Sequence, residues 1–368
     1  GLTANITKKT LNVGGVTVAD KIYDGLLTAS ASFSAATVVG LVGSDVVTLD
    51  SSAATAAFAD KTAAANKTVT VTGLALAAGG ASANYTLVQP TGEATIQRKT
   101  LLVTGATASS RDYNGTRTAT VSYASATLSG KVTLDLVNLD STSATALFDD
   151  RKVGVERSVQ AAGLTLTGND SANYNLGQPT LSASINAKAI TVTGVTAPNK
   201  AFDKLTNATV VTSGAVLVGV ETADVAAVSL VATDVLGEFA DAAVGTNKPV
   251  AIGGLTLTGT EAANYTLTQP STTAAITGAA LTVTGIVVYD NAYDGTTEAK
   301  VGTMAATLAG VTAGSGVSLD AANVTATFAT ATVGTNKTVQ VAGLVLSGPN
   351  AANYTLTQPT ATATVSPA

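Results

Sequence analysis

The stretch that decides the fold is Gly254–Ile276, GLTLTGTEAANYTLTQPSTTAAI, because the chain contains it four times. The other copies begin at Gly73, Gly163 and Gly343, and every copy contains an Asn-Tyr pair. The Tyr residues of successive pairs are 89, 91 and 89 residues apart. A period of this length exceeds that of solenoid and propeller repeats and is typical of small β-sandwich domains joined in tandem.

We therefore predict four domains in the chain of 368 residues. The predicted domains are 8–97, 98–186, 187–277 and 278–368, and residues 1–7 precede them. Residues 1–7 are interpreted as the tail of a preceding repeat, because Ala4-Asn5-Ile6 matches Ala94-Thr95-Ile96. We accordingly expect the chain to come from something longer.

The composition limits the chemistry that the chain can perform. It has no Cys, His or Trp, which removes the commonest general base and the thiol nucleophile. A net charge of −5 argues against a nucleic-acid partner. No run of 18 apolar residues exists, so we expect no membrane insertion. The composition predicts a protein that is not an enzyme.

Each repeat alternates apolar and polar residues with a period of two, which predicts β-strands. The alternation slips by one residue at Gly285, and again at Gly73, Gly163, Gly254 and Gly343. Such a slip needs a bulge, or a bend where the strand changes sheet. We predict about seven strands per repeat and no helix, in an all-β chain of four Ig-like β-sandwich domains.

A turn with an aromatic residue follows the first strand of each repeat, and an Asn-Tyr pair precedes its last two strands. Asp-Gly and Asn-Gly favour turns because both positions tolerate positive φ. Lys204 replaces Gly in the third copy, which predicts that positive φ is not obligatory there. These signature residues are Tyr23, Asp24, Gly25, Tyr113, Asn114, Gly115, Phe202, Asp203, Tyr293, Asp294 and Gly295 in the turns, and Asn84, Tyr85, Asn173, Tyr174, Asn264, Tyr265, Asn353 and Tyr354 in the pairs.

Twelve of the fifteen aromatic residues fall in three columns, namely the turn aromatic, a Phe of the fourth strand and the Tyr after Asn. A position that recurs once per domain favours anchoring in the core over stacking on sugars. We therefore predict that all three columns anchor the cores.

The junctions between repeats are short. Leu101 lies five positions after Ile96, and the same spacing follows Ile185 and Ile276. Because these junctions keep the pattern of a strand, they restrict bending. Four sandwiches in line would form an elongated rod on the order of 150 Å long.

The motifs together resemble a known repeat. They are the Tyr-Asp-Gly turns, Val244-Gly-Thr-Asn-Lys248, Val333-Gly-Thr-Asn-Lys337, Gly254-Leu-Thr-Leu-Thr-Gly259 and Asn264-Tyr-Thr-Leu-Thr-Gln-Pro270. Their order resembles the YDG-type repeat, related to MBG-type repeats. Such repeats occur in tandem in large bacterial surface and secreted proteins, including filamentous-haemagglutinin-like adhesins. The departures are Phe202-Asp203-Lys204 and Glu156-Arg157. The resemblance implies an extracellular stalk in an adhesin.

Three kinds of site remain open alternatives. The acids that recur after a strand (Asp50, Asp140, Asp234 and Asp320) are interpreted as turn residues instead of a catalytic pair. Calcium is an open cofactor, because the loop Gly168–Asn173 offers oxygen ligands, although its counterparts lose the acid. Cross-links are the third, through the Lys67 column or the Gln column (Gln89, Gln178, Gln269 and Gln358), where a Gln before Pro more often caps local backbone.

We predict a non-enzymatic stalk segment of a bacterial extracellular adhesin, located outside the cell or on the bacterial surface. Its predicted partners are other repeats of the same long chain, with lateral or end-to-end self-association and surface glycans as further partners. One alternative is a self-assembling subunit of an extracellular filament or matrix. A second alternative is a repeated carbohydrate-binding module.

Overall fold

The computed structural model describes residues 4–311 and 314–368. The chain forms two compact units that divide at Asn186 and Ala187, with two repeats in each. The predicted tail 1–7 includes residues 1–3, which lie outside the described residues.

The strands of the first repeat are β1 (Lys9–Gly14), β2 (Thr17–Val18), β3 (Lys21–Ile22), β4 (Thr28–Ala29), β5 (Ala31–Ser32), β6 (Thr37–Val39), β7 (Leu49–Asp50), β8 (Thr55–Phe58), β9 (Ala64–Thr72), β10 (Ala75–Leu76), β11 (Tyr85–Leu87) and β12 (Thr91–Gln97). Those of the second are β13 (Lys99–Thr104), β14 (Thr107–Ala108), β15 (Arg111–Asp112), β16 (Val121–Ser122), β17 (Thr127–Ser129), β18 (Asn138–Asp140), β19 (Thr145–Phe148), β20 (Gly154–Ala162), β21 (Thr165–Thr167), β22 (Tyr174–Gly177) and β23 (Thr180–Asn186).

The strands of the third repeat are β24 (Lys188–Thr193), β25 (Lys200–Ala201), β26 (Asn207–Ala208), β27 (Val216–Val218), β28 (Ser229–Val231), β29 (Leu236–Phe239), β30 (Gly245–Gly253), β31 (Thr256–Thr258), β32 (Tyr265–Leu267) and β33 (Ser271–Thr277). Those of the fourth are β34 (Ala279–Thr284), β35 (Val287–Val288), β36 (Asn291–Ala292), β37 (Val301–Gly302), β38 (Thr307–Ala309), β39 (Ser318–Asp320), β40 (Thr325–Phe328), β41 (Gly334–Ala342), β42 (Val345–Ser347), β43 (Tyr354–Leu356) and β44 (Thr360–Ser366).

The all-β prediction is confirmed, but the strands are shorter and more numerous than the predicted seven. The reason is that glycines with positive φ divide stretches that the sequence pattern reads as one strand. The helical residues among those described form single 3₁₀ turns, at Ser82–Asn84, Ser171–Asn173, Thr222–Asp224, Ala262–Asn264 and Ala351–Asn353. Four of these five turns end on the Asn of an Asn-Tyr pair.

Two parallel pairings tie the start of each repeat to its end. In the first repeat, β1 pairs in parallel with β11, with Lys9 opposite Tyr85 and Leu11 opposite Leu87. The short β3 pairs in parallel with the end of β12. The larger sheet has the order β3-β12-β9-β8-β4, and its other neighbours are antiparallel. The later repeats keep the two parallel pairings.

The predicted break at the repeat glycine is a change of sheet. Gly73 has a φ of +78° and separates β9, which pairs with β8 and β12, from β10, which pairs with β7. A Cβ on Gly73 would lie 2.3 Å from the Ala53 carbonyl oxygen, so the position admits glycine alone without strain. The glycines at the same place have φ of +77°, +80° and +79°.

The Gln column holds this change of sheet in place. The Gln89 carboxamide accepts from the Leu74 amide at 3.1 Å and donates to the Leu74 carbonyl at 2.8 Å. The same pair of bonds joins Gln178 to Leu164, Gln269 to Leu255 and Gln358 to Leu344. The Gln side chain therefore pairs the backbone amide and carbonyl of the residue after the glycine, where the strand changes sheet. This confirms the interpretation of Gln as a local cap of the backbone.

The Phe column lies in the core of each repeat. The exposed fractions of Phe58, Phe148, Phe239 and Phe328 are 2%, 0%, 1% and 2%. Each ends the strand that pairs with the long fifth strand of the predicted pattern. The side chain therefore faces the core between the sheets.

Candidate functional site

The aromatic turn is fastened by a basic residue two positions before it. Lys21 Nζ donates to the Asp24 carboxylate at 2.8 Å and to the carbonyls of Leu26 and Thr28 at 2.7 and 2.9 Å. The same ammonium lies 5.4 Å from the centre of the Phe58 ring. One cation therefore joins the turn to the core.

The same arrangement recurs in the next two repeats. Arg111 binds the carbonyls of Asp112, Thr116 and Thr118 and lies 5.2 Å from the Phe148 ring. Lys200 binds Asp203 and two carbonyls and lies 5.9 Å from the Phe239 ring. Sequence reasoning missed these cations, although the spacing of a basic residue, any residue and an aromatic was visible. The fourth copy has Asn291, which donates to the Glu298 carbonyl at 3.1 Å.

The acid or amide of each turn accepts a hydrogen bond from the backbone two residues later. The bonds run from the amides of Leu26, Thr116, Leu205 and Thr296 to Asp24, Asn114, Asp203 and Asp294. Burial raises the pKa of Asp24, but the hydrogen bonds from Lys21 and Leu26 outweigh burial and the pKa is lowered overall. The third residue of the turn is Gly25, Gly115 or Gly295, with φ of +78°, +74° and +80°.

The interpretation of Lys204 was wrong. Lys204 has a φ of +71°, close to the glycines at the same place. The closing geometry of the turn requires this conformation whichever residue is present. Lys204 therefore carries a strain of about 1 kcal/mol that glycine avoids.

Within the first unit, the turn of repeat 1 contacts the Asn-Tyr pair of repeat 2. The rings of Tyr23 and Tyr174 meet edge to face, with centres 5.4 Å apart and planes at 77°. The second unit has the same contact, in which Phe202 and Tyr354 are 5.4 Å apart at 80°. We call this region, the turn and hairpin of one repeat against the Asn-Tyr pair of the next, the repeat joint.

The Asn of the pair completes the repeat joint. Asn173 Oδ1 accepts from the Ala63 amide of the preceding repeat at 2.8 Å. Asn353 Oδ1 accepts from the Val244 amide at 3.1 Å in the second unit. Ala63 and Val244 occupy the same place in the hairpin before the fifth strand of the predicted pattern. The Asn-Tyr pair therefore supplies one ring and one hydrogen bond to its neighbour.

A buried carboxylate lies at the centre of the joint in the first unit. Tyr174 Oη donates to Asp135 at 2.6 Å and accepts from the Val132 amide at 2.9 Å. Lys61 of repeat 1 lies 3.9 Å from the same carboxylate. Burial and then the bond to Asp135 raise the pKa of Tyr174 to about 12.

Tyr23 is the second hydroxyl beside this carboxylate. It is 1% exposed. Burial first and the neighbouring Asp135 next raise the pKa of Tyr23. The second unit differs, since Phe202 has no hydroxyl and Ser315 stands in the place of Asp135.

The prediction that the turn aromatics anchor the cores needs correction. Tyr23 is 1% exposed, but it packs against Tyr174 of the next repeat, so its burial belongs in part to the joint. Tyr293, at the same place in repeat 4, is 46% exposed. The prediction therefore fails for Tyr293 in repeat 4, whereas Tyr113 in repeat 2 is 1% exposed and Tyr23 packs both in its own core and in the joint.

The remaining Asn-Tyr pairs keep the local bonds. Tyr85 Oη donates to Asp45 at 2.6 Å and accepts from Val42 N at 3.1 Å. Tyr265 Oη donates to Asp224 at 2.8 Å and accepts from Glu221 N at 3.1 Å. Asn264 donates to Glu261 at 2.6 Å. The Tyr113 hydroxyl accepts from Arg151 at 2.7 Å.

Three of the four acids considered for catalysis bind backbone amides, and Asp234 accepts from the Thr233 hydroxyl at 3.3 Å. Asp50, Asp140 and Asp320 each accept from the amide two residues later, at 2.9 Å. Asp170 of the loop Gly168–Asn173 accepts from the Leu136 amide at 2.9 Å. Over residues 4–311 and 314–368, no group of three or more acids could hold a metal ion. No helix in that part of the chain is long and apolar enough to cross a membrane.

The family comparison matches the chain four times. The YDG domain matches residues 7–93, 97–182, 186–274 and 277–363. No curated protein sequence matches the chain. The predicted domain boundaries and the role of the signature residues stay predictions.

Solved structures resemble the chain weakly. Domains EC1-4 of Drosophila N-cadherin have 11% identity and a TM-score of 0.21, over 100% of this chain and 94% of that one. The Escherichia coli adhesin FdeC has 12% identity and a TM-score of 0.19, over 74% and 98%. Domains 1-6 of the surface layer protein SbsC have 14% identity and a TM-score of 0.16, over 98% and 54%. At these scores the likenesses carry no argument about function.

Proposed function

The chain belongs to the YDG domain family in four tandem copies, and from that premise we propose that it is a non-enzymatic stalk segment of a bacterial extracellular adhesin. In this proposal the repeats project a distal binding region from the bacterial surface and support cell-surface or biofilm adhesion. The partners of each repeat are the neighbouring repeats of the same chain.

The observation that carries the proposal is the repeat joint. Within the first unit, only Arg98 separates β12 from β13, and within the second only Gly278 separates β33 from β34. A connection of one residue leaves little freedom for one repeat to turn against the next. The ring pair and the Asn hydrogen bond then hold a second point of contact away from the connection. Two points of contact restrict bending, which is what a stalk requires.

A distance measurement across the first joint tests the proposal. The chain has no Cys, so two spin labels can be placed by substitution at exposed positions, Val39 in repeat 1 and Leu147 in repeat 2. We expect a single narrow distance distribution in pulsed electron paramagnetic resonance. Asn173→Ala, which leaves the Ala63 amide unpaired, should broaden it and lower the stability of the joint by about 1–2 kcal/mol.

The matched control is Asn84→Ala, in the Asn-Tyr pair of repeat 1. Asn84 is exposed and does not take part in the joint between repeats 1 and 2, so its loss should leave the distribution unchanged. A broad distribution in the unsubstituted chain would overturn the stalk proposal, because a flexible joint cannot project a binding region.

A further inference from the structure

In repeats 1 to 3 a positively charged side chain binds the same two backbone carbonyls of the aromatic turn. Lys21 Nζ lies 2.7 Å from the carbonyl oxygen of Leu26 and 2.9 Å from that of Thr28, five and seven residues later. Arg111 and Lys200 bind the carbonyls at the same two distances along the chain. The second repeat keeps the cation although its turn has an amide in place of the acid. The turn therefore binds one positive charge in each of three repeats.

Repeat 4 keeps the geometry of this turn. Gly295 has a φ of +80°, against +78° for Gly25. Asp294 accepts from the amide two residues later at 2.9 Å, as Asp24 does. The strand before the turn, β36, pairs in parallel with β44, as β3 pairs with β12. The place of the basic residue is taken by Asn291, which is shorter than Lys and uncharged.

The Asn291 carboxamide reproduces the ammonium only in part. Its Nδ2 donates to the Glu298 carbonyl at 3.1 Å, which is the second of the two carbonyl positions. The first position is the Thr296 carbonyl, and among the described residues Asn291 donates to Glu298 alone. Asn291 Oδ1 is buried and has no hydrogen-bond partner in that part of the chain. An unpaired buried oxygen costs free energy, so it favours a positively charged group beside it.

Two lysines of repeat 4 carry charge near this turn without binding its oxygens. Lys337 lies 5.9 Å from the centre of the Phe328 ring, but its Nζ binds two carbonyls of the hairpin before the fifth predicted strand. Lys300 is exposed. The pKa of Asp294 is lowered first by the hydrogen bonds from Thr296, and the charge of Lys300 contributes less. The oxygens of the turn are therefore not neutralised by direct contact with either ammonium.

We propose that the aromatic turn of repeat 4 binds a free monovalent cation, of the size of potassium or ammonium, at the place that Lys21 Nζ takes in repeat 1. Its ligands are Asn291 Oδ1, the Thr296 carbonyl and the Asp294 carboxylate. Carbonyl oxygens can replace the hydration shell of potassium, which is close in size to an ammonium group. One carboxylate balances one positive charge, whereas calcium sites combine more oxygens and commonly several carboxylates. This inference goes beyond the stalk, which needs no ion.

Hydrogen–deuterium exchange of the full chain, read by mass spectrometry, tests this site. We expect peptides that span residues 291–298 to exchange severalfold more slowly in potassium chloride than in choline chloride at equal ionic strength. Choline has no N–H group and is too large for the turn. The effect should saturate with potassium concentration, which general screening does not do. Peptides that span residues 21–28 and 200–207 are internal controls, because the chain supplies their cation, and should exchange equally in both salts.

Substitutions exchange the two kinds of turn. Asn291→Lys gives repeat 4 the residue of repeats 1 and 3, so it should slow exchange over residues 291–298 in choline chloride and remove the effect of potassium. Asn291→Ala, which removes Oδ1, should weaken the effect. Lys21→Asn makes the reverse change and should give peptides over residues 21–28 a dependence on potassium. Circular dichroism checks that each variant folds.

The proposal is overturned if peptides over residues 291–298 exchange equally in potassium and choline chloride, or if the Asn291→Lys chain still responds to potassium. A response to calcium at lower concentration than to potassium also overturns it, because the site then takes a divalent ion. None of these results bears on the spin-label distances between repeats 1 and 2, so this inference and the stalk proposal fail independently.

Discussion

At the scale of the residue, the turns keep one backbone conformation even where the residue type differs between repeats. Four turns close with a residue near a φ of +75°, and three of the four use glycine. The hairpin before the fifth predicted strand does the same with Asn66, Asn247 and Asn336, while Glu156 takes their place at a φ of +50°. Asn tolerates this conformation better than Glu does. The two departures from the family pattern are therefore positions of strain.

Lys204→Gly should stabilise the third repeat by about 1 kcal/mol, because glycine adopts a φ of +71° without the clash that a Cβ makes. Urea denaturation measures the change. Lys204→Ala is the matched control, because it removes the same side chain but keeps the Cβ. If Lys204→Ala stabilises the chain equally, the side chain and not the backbone conformation is responsible.

At the scale of the element, both the change of sheet at each repeat glycine and the Gln side chain that bonds to it were predictable from the sequence. The slip in alternation is local, so the sequence shows it directly at Gly73 and its counterparts. The Gln bond spans 14 or 15 residues and recurs at a constant place, so it too was visible.

The Tyr-Asp pairs were not visible, for a physical reason. Asp45, Asp135 and Asp224 precede their Tyr by 40, 39 and 41 residues, across loops of different length. No fixed spacing marks them, and the fourth copy has Ser315 instead. The repeat joint was missed because its contacts join residues of two different repeats. The spacing of motifs shows which residues recur, but it does not show which residues of neighbouring repeats contact each other.

Gln89→Glu should destabilise the first repeat by about 1–3 kcal/mol near neutral pH. The introduced carboxylate can still accept from the Leu74 amide, but it cannot donate to the Leu74 carbonyl. The loss should shrink below about pH 4, where a protonated carboxyl regains a donor. Gln97→Glu at an exposed position of the same repeat is the control. Equal urea midpoints for the two variants would contradict this role of the Gln.

At the scale of the whole molecule, every repeat carries aspartates whose pKa is lowered. They are Asp24, Asp50, Asp60, Asp140, Asp150, Asp203, Asp241 and Asp294. The largest cause for Asp60 is the hydrogen bond from Lys67, which helps lower its pKa to about 2. These groups bind protons more weakly in the folded chain than in the unfolded chain.

The contribution of these carboxylates to the free energy of unfolding should therefore be constant above about pH 5. It should fall as the pH drops from about 4 to 2. The sign follows because a lowered pKa stabilises the folded state only while the carboxylate is ionised. Urea midpoints across this range measure it. The double variant Asp60→Asn/Asp241→Asn should flatten the dependence, and an unchanged slope would show that these two carboxylates contribute little.

The parallel pairing at the ends of each repeat has a consequence for a chain under tension. When both ends of repeat 1 are pulled, β1 is pulled in the direction of its N-terminal end. The force on the C-terminal end acts through β12 and pulls β11 in the direction of its C-terminal end. Two parallel strands pulled in opposite directions are loaded in shear, so their hydrogen bonds must break together. An antiparallel hairpin pulled from its open end unzips one bond at a time. Each repeat is thus closed by a pair of strands that tension on the chain loads in shear.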